Sequence, residues 1–186
     1  MTTKSETPGV EVPETPEERK ARLAREKDEK ALRQTRDEKH RADAPTLKRL
    51  REATRVFFDL HWDAAKMGGE PPEWQGPALV QKGPVPNYDK QGCYAFVSED
   101  GIVTYVGLGV SRGGGIYRAR GISARLNTYS RYVDGDYQPV DPHLKAASGR
   151  ACTIGFEIKD AYLACALEAY LIRELKPVFN ANRPAS

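Results

Sequence analysis

The sequence predicts a small α/β (α+β) fold: a three-stranded antiparallel sheet flanked by helices and preceded by a helical N-terminal extension. Three observations predict it. Apolar and polar residues alternate through Tyr94, Phe96 and Ser98, and again through Ile102, Thr104 and Val106, around a Glu99-Asp100-Gly101 turn, which is the pattern of a β-hairpin. Ile154, Phe156 and Ile158 alternate within 152–158, which suits a third strand. Leu163, Leu167, Leu171 and Leu175 recur four residues apart, so 161–175 reads as a helix with Asp160 as its cap and Pro177 as its stop.

The 186 residues divide into three zones. Zone 1–44 is a tail and arm. Thr, Pro, Glu and Gly dominate up to Pro16, a composition of disorder, and 17–41 carries ten Lys/Arg against seven Asp/Glu. Leu23 and Leu32 make no sustained stripe there, so an exposed, frayed charged helix is expected. Zone 45–90 opens with an amphipathic helix over 45–67, in which Leu47, Leu50, Val56, Phe57 and Leu60 share a face, Thr46 caps and Gly68-Gly69 stops. Pro71, Pro72, Pro77, Pro84 and Pro86 then read as a connecting loop, with Trp74 as its anchor. Zone 91–186 is the compact domain: hairpin, a glycine- and arginine-rich loop over 107–121, a short helix over 123–132 with Ser123 as cap, loop and a short helical piece over 132–148, then the third strand and last helix.

Composition limits the function classes. Hydrophobic residues are 39% and charged residues 30%, so the core is modest, and a net charge of +3 is too small to indicate nucleic acid by itself. Cys93, Cys152 and Cys165 each lie in an apolar segment with no C-x-x-C pair, which reads as three small buried hydrophobes in a reducing compartment. No apolar run is long enough to span a membrane and the N-terminus is polar, so a cytoplasmic protein with no membrane partner is expected. His40, His61 and His143 are scattered, and none has a sequence neighbour that suggests a role.

The hairpin brings two phenols together. A Glu99-Asp100 loop would pair Tyr94 with Tyr105; an Asp100-Gly101 loop would pair Phe96 with Tyr105 and leave Tyr94 diagonal. Either register puts both tyrosines on one face, because side chains alternate with period two. They are then a packed aromatic pair or one wall of an active site.

Charge distribution is more telling than net charge. No acidic residue occurs between Asp100 and Asp134, whereas Arg112, Arg118, Arg120, Arg125 and Arg131 do, interleaved with Tyr117, Tyr129 and Tyr132. A guanidinium fork suits phosphate, glycines let a backbone approach, and interleaved tyrosines suit nucleic acid. The loop lacks a G-K-[ST] ending, which argues against a P-loop nucleotide triphosphatase. Glu168 lies at the edge of the apolar stripe of the last helix, on a ridge with Ala164 and Ile172. It needs a partner there: an arginine, or a divalent cation such as Mg2+, which one or two carboxylates can hold. Asn180 could organise a turn, hydrogen-bond a phosphate or fix the tyrosine hydroxyls.

Taken in order, this set resembles the GIY-YIG nuclease superfamily. Gly92-Cys93-Tyr94 and Tyr105-Val106-Gly107 match its two name motifs, and Cys93 stands where an aliphatic residue is usual. Arg125 in Ala124-Arg125-Leu126 matches the family arginine, with Tyr129 four residues on. Glu168 in Leu167-Glu168-Ala169-Tyr170 matches the metal-binding glutamate and Asn180 the family asparagine. The resemblance covers about 91–184, and the stretch from Tyr105 to Arg125 is longer than in compact members. It implies a metal-dependent endonuclease that hydrolyses DNA phosphodiester bonds in one in-line step. Glu168 would hold Mg2+ or Mn2+, Arg125 the scissile phosphate, and Tyr94 would act as general base with Tyr105 or Tyr129. Help from nearby cations is needed to lower a phenol that titrates near ~10. Arg112, Arg118, Arg120 and Arg131 would bind flanking phosphates, and a restriction-type member would cut a symmetric site as a homodimer. The alternative is a catalytically silent nucleic-acid-binding module. A third reading makes the charged arm an interaction element and the domain its scaffold.

Overall fold

A computed structural model describes residues 17, 19–20, 22–30, 44–111 and 121–180. The chain divides into two units, Met1–Asp43 and Ala44–Ser186. In the first, residues 22–30 form an exposed helix, α1, with an Arg22–Glu26 ion pair at 2.8 Å in i,i+4 spacing. That is the charged helix expected there.

The second unit is α+β. Its main sheet has four antiparallel strands in the order β1-β6-β2-β3: β1 Gln75–Leu79, β2 Gln91–Val97, β3 Val103–Gly109 and β6 Arg150–Phe156. The expected three strands are present and a fourth joins them. β1 occupies the Pro-rich stretch read above as a loop. Its ladder skips two residues between Gln75↔Thr153 and Ala78↔Ala151, and Pro77 falls in that skip on an edge strand, where its missing N–H costs no ladder bond. A second hairpin, β4 Ser130–Val133 and β5 Asp136–Pro139, replaces the end of the expected 123–132 helix and part of the expected loop. Asp134 and Gly135 both have positive φ (49° and 90°), the conformation of a two-residue type I′ turn.

Helices cover both sheet faces. α2 Leu47–His61 begins as expected, with Thr46 Oγ1 accepting from the Arg49 N–H at 3.3 Å. It stops early because Trp62 turns extended, and Asp63 caps a separate short helix, α3 Ala64–Met67. α6 Ala161–Leu175 has the expected bounds. Asp160, however, makes no side-chain cap; it ends a 3-10 turn and is itself buried. α2 and α6 pack on one face, where Leu50, Phe57, Phe58, Leu163, Leu167 and Leu171 meet Cys93, Ala95, Val97 and Ile154. Trp74 anchors its segment as expected: it is buried in this core, and its indole N–H donates to Thr54 Oγ1 at 2.7 Å.

The other face is covered by α4 Gly121–Leu126, a 3-10 turn Asn127–Tyr129 and α5 Pro142–Ala146. α4 starts two residues before Ser123, so Ser123 does not cap it; its N–H instead donates to the Tyr88 carbonyl at 3.2 Å. This second core gathers Tyr94, Phe96, Tyr105, Ile122, Leu126, Tyr129 and Leu144. Cys93 and Cys152 are buried as expected, whereas Cys165 is exposed because it points away from the Leu163/Leu167 stripe. Among the described residues no helix is long and apolar enough to cross a membrane.

Candidate functional site

The hairpin register decides which aromatic rings meet. Phe96 pairs with Tyr105, Tyr94 with Gly107, and Val97 with Val103, so Thr104 is an extra residue. Ser98 N–H donates to the Ile102 carbonyl and Gly101 N–H to the Ser98 carbonyl, so the loop is Glu99-Asp100-Gly101 rather than either two-residue loop. The bulge then supplies the one-residue shift that pairs Phe96 with Tyr105. It also turns Val103 to the α2/α6 face while Tyr105 faces α4. Tyr94 and Tyr105 share a face as expected, with ring centroids 6.1 Å apart.

Both motif glycines have steric reasons. A Cβ on Gly107 would run into the Cζ and Oη atoms of Tyr94, because the Tyr94 ring lies across β3 at that point. A Cβ on Gly92 would run into the Ile154 carbonyl of the neighbouring strand. The tripeptides therefore set the path of one tyrosine ring over the sheet.

That ring ends on a second phenol. Tyr94 Oη lies 2.7 Å from Tyr129 Oη, and Phe96 meets Tyr129 edge-on at 5.1 Å between centroids. The Arg125 guanidinium sits 5.3 Å above the Tyr129 ring, so the i,i+4 pair does meet although Tyr129 ends a 3-10 turn. Tyr94 is fully buried. Burial first, then the neighbouring Tyr129 and Tyr105, pushes its phenol up, and its contact with Arg125 pulls down but is outweighed. Arginine thus lowers this phenol as expected, but burial outweighs it and the net direction is upward. Tyr94 keeps its proton at neutral pH, so its hydroxyl makes hydrogen bonds and does not act as a base. Its hydrogen bond, followed by the nearby phenols, holds Arg125 firmly cationic.

A cavity of about 390 Å3 opens beside this cluster, lined by Tyr105, Arg125, Thr128, Tyr129, Asp141, His143 and Phe179. The sequence assigns His143 no role and does not mark Asp141, yet both line this cavity. Asp141 caps α5, with Oδ1 accepting from the His143 N–H at 2.8 Å, and the same oxygen lies 3.3 Å from His143 Nδ1. The imidazole stacks on Tyr105 (5.3 Å, 4° between planes) and meets Phe179 at 4.8 Å. Asp141-Pro142 is a helix-start signature that places His143 beside the capping carboxylate. The stack on Tyr105 and Phe179 has no local signal.

The remaining expected site residues lie elsewhere. Asn180 is buried; its Oδ1 accepts from the Val106 N–H and its Nδ2 donates to the Val106 carbonyl, both at 2.8 Å. Its backbone N–H closes the turn after α6 on the Pro177 carbonyl at 2.9 Å, one of the roles expected of it, while its side chain pairs with the open edge of β3. Glu168 is half-buried on α6 and lies near Cys93, whose thiol it helps burial to raise. Cys93 belongs to the core on the face opposite Tyr94, and Glu168 does not line the Arg125 cavity. Arg131 is exposed on β4, paired with Gln138. Arg112, Arg118 and Arg120 lie outside the described residues. The stem of their loop is described. Gln91 Oε1 accepts from the Ser111 N–H at 2.6 Å, and Gly109 approaches Ile122, so the loop leaves and returns next to α4.

Among the described residues no group of three or more His, Cys, Asp or Glu could hold a metal ion. A hard cation such as Mg2+ or Mn2+ needs fewer protein donors, since water and phosphate oxygens complete its shell. The carboxylate of Glu168 fits as one such oxygen donor. No family model matches the chain, and no curated protein or solved structure matches it either.

Proposed function

We propose that this chain is a metal-dependent endonuclease of the GIY-YIG type that hydrolyses DNA phosphodiester bonds. One observation carries the reading: an exposed Arg125, backed by Tyr129 and the buried Tyr94 hydroxyl, stands on the wall of an open cavity at the foot of an arginine-rich loop. A guanidinium fixed on an aromatic base is pre-organised for a phosphate, because it need not be reoriented as charge builds on the phosphoryl oxygens.

In this scheme Arg125 holds the scissile phosphate. The Tyr129 hydroxyl, positioned by the protonated Tyr94, orients the attacking water, and Tyr105 completes the wall. Arg112, Arg118, Arg120 and Arg131 offset neighbouring phosphates, which makes binding fall steeply with salt. Glu168 would hold the divalent cation, Mg2+ or Mn2+, which would supply charge neutralisation to the phosphodiester. A homodimer would cut a symmetric site.

Plasmid cleavage with Mg2+ tests the scheme, comparing the wild type with Arg125→Ala, Tyr94→Phe and Glu168→Ala. Arg125→Ala should lower the rate by roughly 10²–10³-fold, the usual loss for one transition-state donor. Cleavage undiminished by Glu168→Ala removes the metal assignment, and cleavage undiminished by Arg125→Ala removes the scheme. A second reading, a nucleic-acid-binding module without catalysis, is favoured by the position of Glu168 outside the cavity lining. It predicts DNA retention without cleavage under every divalent cation tried. Discrete fragments of a sequenced plasmid would show site specificity, and a smear would show its absence.

A further inference from the structure

We infer that His143, held by Asp141, is the general base that deprotonates the attacking water in the Arg125 cavity; this rests on the phosphodiesterase reading above. The base must be a group at that cavity that can take a proton, and Asp141 is already engaged by the α5 cap and by His143. Arg125 is permanently cationic and Tyr94 is buried with its proton on, so neither accepts one. Among the lining residues, His143 alone is an imidazole, whose neutral ring offers one nitrogen lone pair to a proton.

Its geometry suits the task. Asp141 Oδ1 is fixed by the α5 cap and lies 3.3 Å from Nδ1, so the carboxylate favours a proton on that nitrogen. The other nitrogen, Nε2, has no hydrogen-bond partner among the described residues. The ring cannot tilt freely, because Tyr105 is stacked on it and Phe179 adjoins it. The titratable and charged groups around it are Asp141 from the start of α5, Tyr105 from β3, Arg125 from α4 and Tyr129 from the 3-10 turn.

The step balances as follows. Water oxygen forms a bond to phosphorus and its proton passes to Nε2. The bond from phosphorus to the 3′ oxygen breaks, and that oxygen takes a proton from solvent. The imidazolium, stabilised by Asp141, then returns its proton to solvent.

The test is single-turnover cleavage of a defined DNA duplex with Mg2+ from pH 5 to 9. The variants are His143→Phe, which keeps an aromatic ring between Tyr105 and Phe179, and Asp141→Asn, which keeps a good helix cap. His143→Phe should lower the rate about 10²–10⁴-fold, the usual range for a lost general base, with unchanged DNA affinity and thermal midpoint. The acid limb of the pH profile should disappear with it. Asp141→Asn should lower the rate less than His143→Phe, because the amide oxygen can still hold the Nδ1 proton but carries no charge to offset the imidazolium. A wild-type rate and an intact acid limb in His143→Phe overturn the inference while the nuclease reading stands. A wild type that binds DNA and cuts none overturns both.

Discussion

Gly107→Ala tests the geometry on which the site depends. The added methyl would strike the Cζ and Oη atoms of Tyr94 and the Cε1 atom of Tyr105, all parts of rigid rings. Tyr94 is fully buried and Tyr105 nearly so, with Phe96 and Tyr129 packed around them, so neither ring has space to retreat. Forcing a methyl into a packed core costs typically about 1–3 kcal/mol. At roughly 2–4 °C per kcal/mol for a domain of this size, the thermal midpoint should fall by about 2–12 °C. Circular dichroism melts and urea titrations would measure it. Gly92→Ala gives the comparison, because its methyl would meet a backbone carbonyl in the middle of the sheet, which can move even less. It should destabilise more than Gly107→Ala. A Gly107→Ala midpoint within a degree of wild type would mean that the Tyr94 ring does not cross β3 there, and the Tyr94–Tyr129 contact would fall with it.

Three further outcomes follow from the same contacts. Tyr94→Phe leaves the Tyr129 hydroxyl without its buried partner and should cost about 0.5–1.5 kcal/mol, read by urea unfolding. The Tyr94 phenol is raised by burial above its unfolded value near ~10, so the stability tied to its protonated form is present below that pH and lost as pH rises past it. Unfolding between pH 9 and 11.5 should therefore be less steep in pH for Tyr94→Phe than for wild type. Asn180→Asp keeps the acceptor for the Val106 N–H but sets an oxygen against the Val106 carbonyl, and should destabilise by more than about 1 kcal/mol.

Local patterns were legible and long-range ones were not. The leucine spacing of α6 and the Thr46 cap appear where the sequence places them, because periodicity and capping are local. β1 is hidden by Pro77: a proline argues against a strand unless the strand is an edge with a skipped pair, and edge position is a tertiary fact. The β4–β5 hairpin carried its own signal in Asp134-Gly135, between Tyr132 and Tyr137, which pair across the turn. The shared face of Tyr94 and Tyr105 follows from period two. Which of them meets which ring depended on a bulge at Thr104 that no composition rule marks. Asn180 was visible as a turn residue, but its partner at Val106 lies across the fold.

The physical consequence is a division of labour between the two faces of the sheet. Tyr94, the first tyrosine of the motif pair, is spent beneath the surface, where its protonated hydroxyl is a hydrogen-bond partner of Tyr129 and a brace for Arg125. What remains open to a substrate is Arg125 and the Asp141–His143 pair, with Tyr129 buried behind them, while Glu168 belongs to the helix on the other face. The link between the faces is the chain leaving α6. Phe179 N–H donates to the Thr104 carbonyl at 3.0 Å and Asn180 clasps Val106, so the end of α6 is stitched to the edge of β3. That stitching sets Phe179 against His143. Asn180 thus reaches the cavity without touching it: its amide fixes a backbone, the backbone places Phe179, and Phe179 with Tyr105 holds the imidazole.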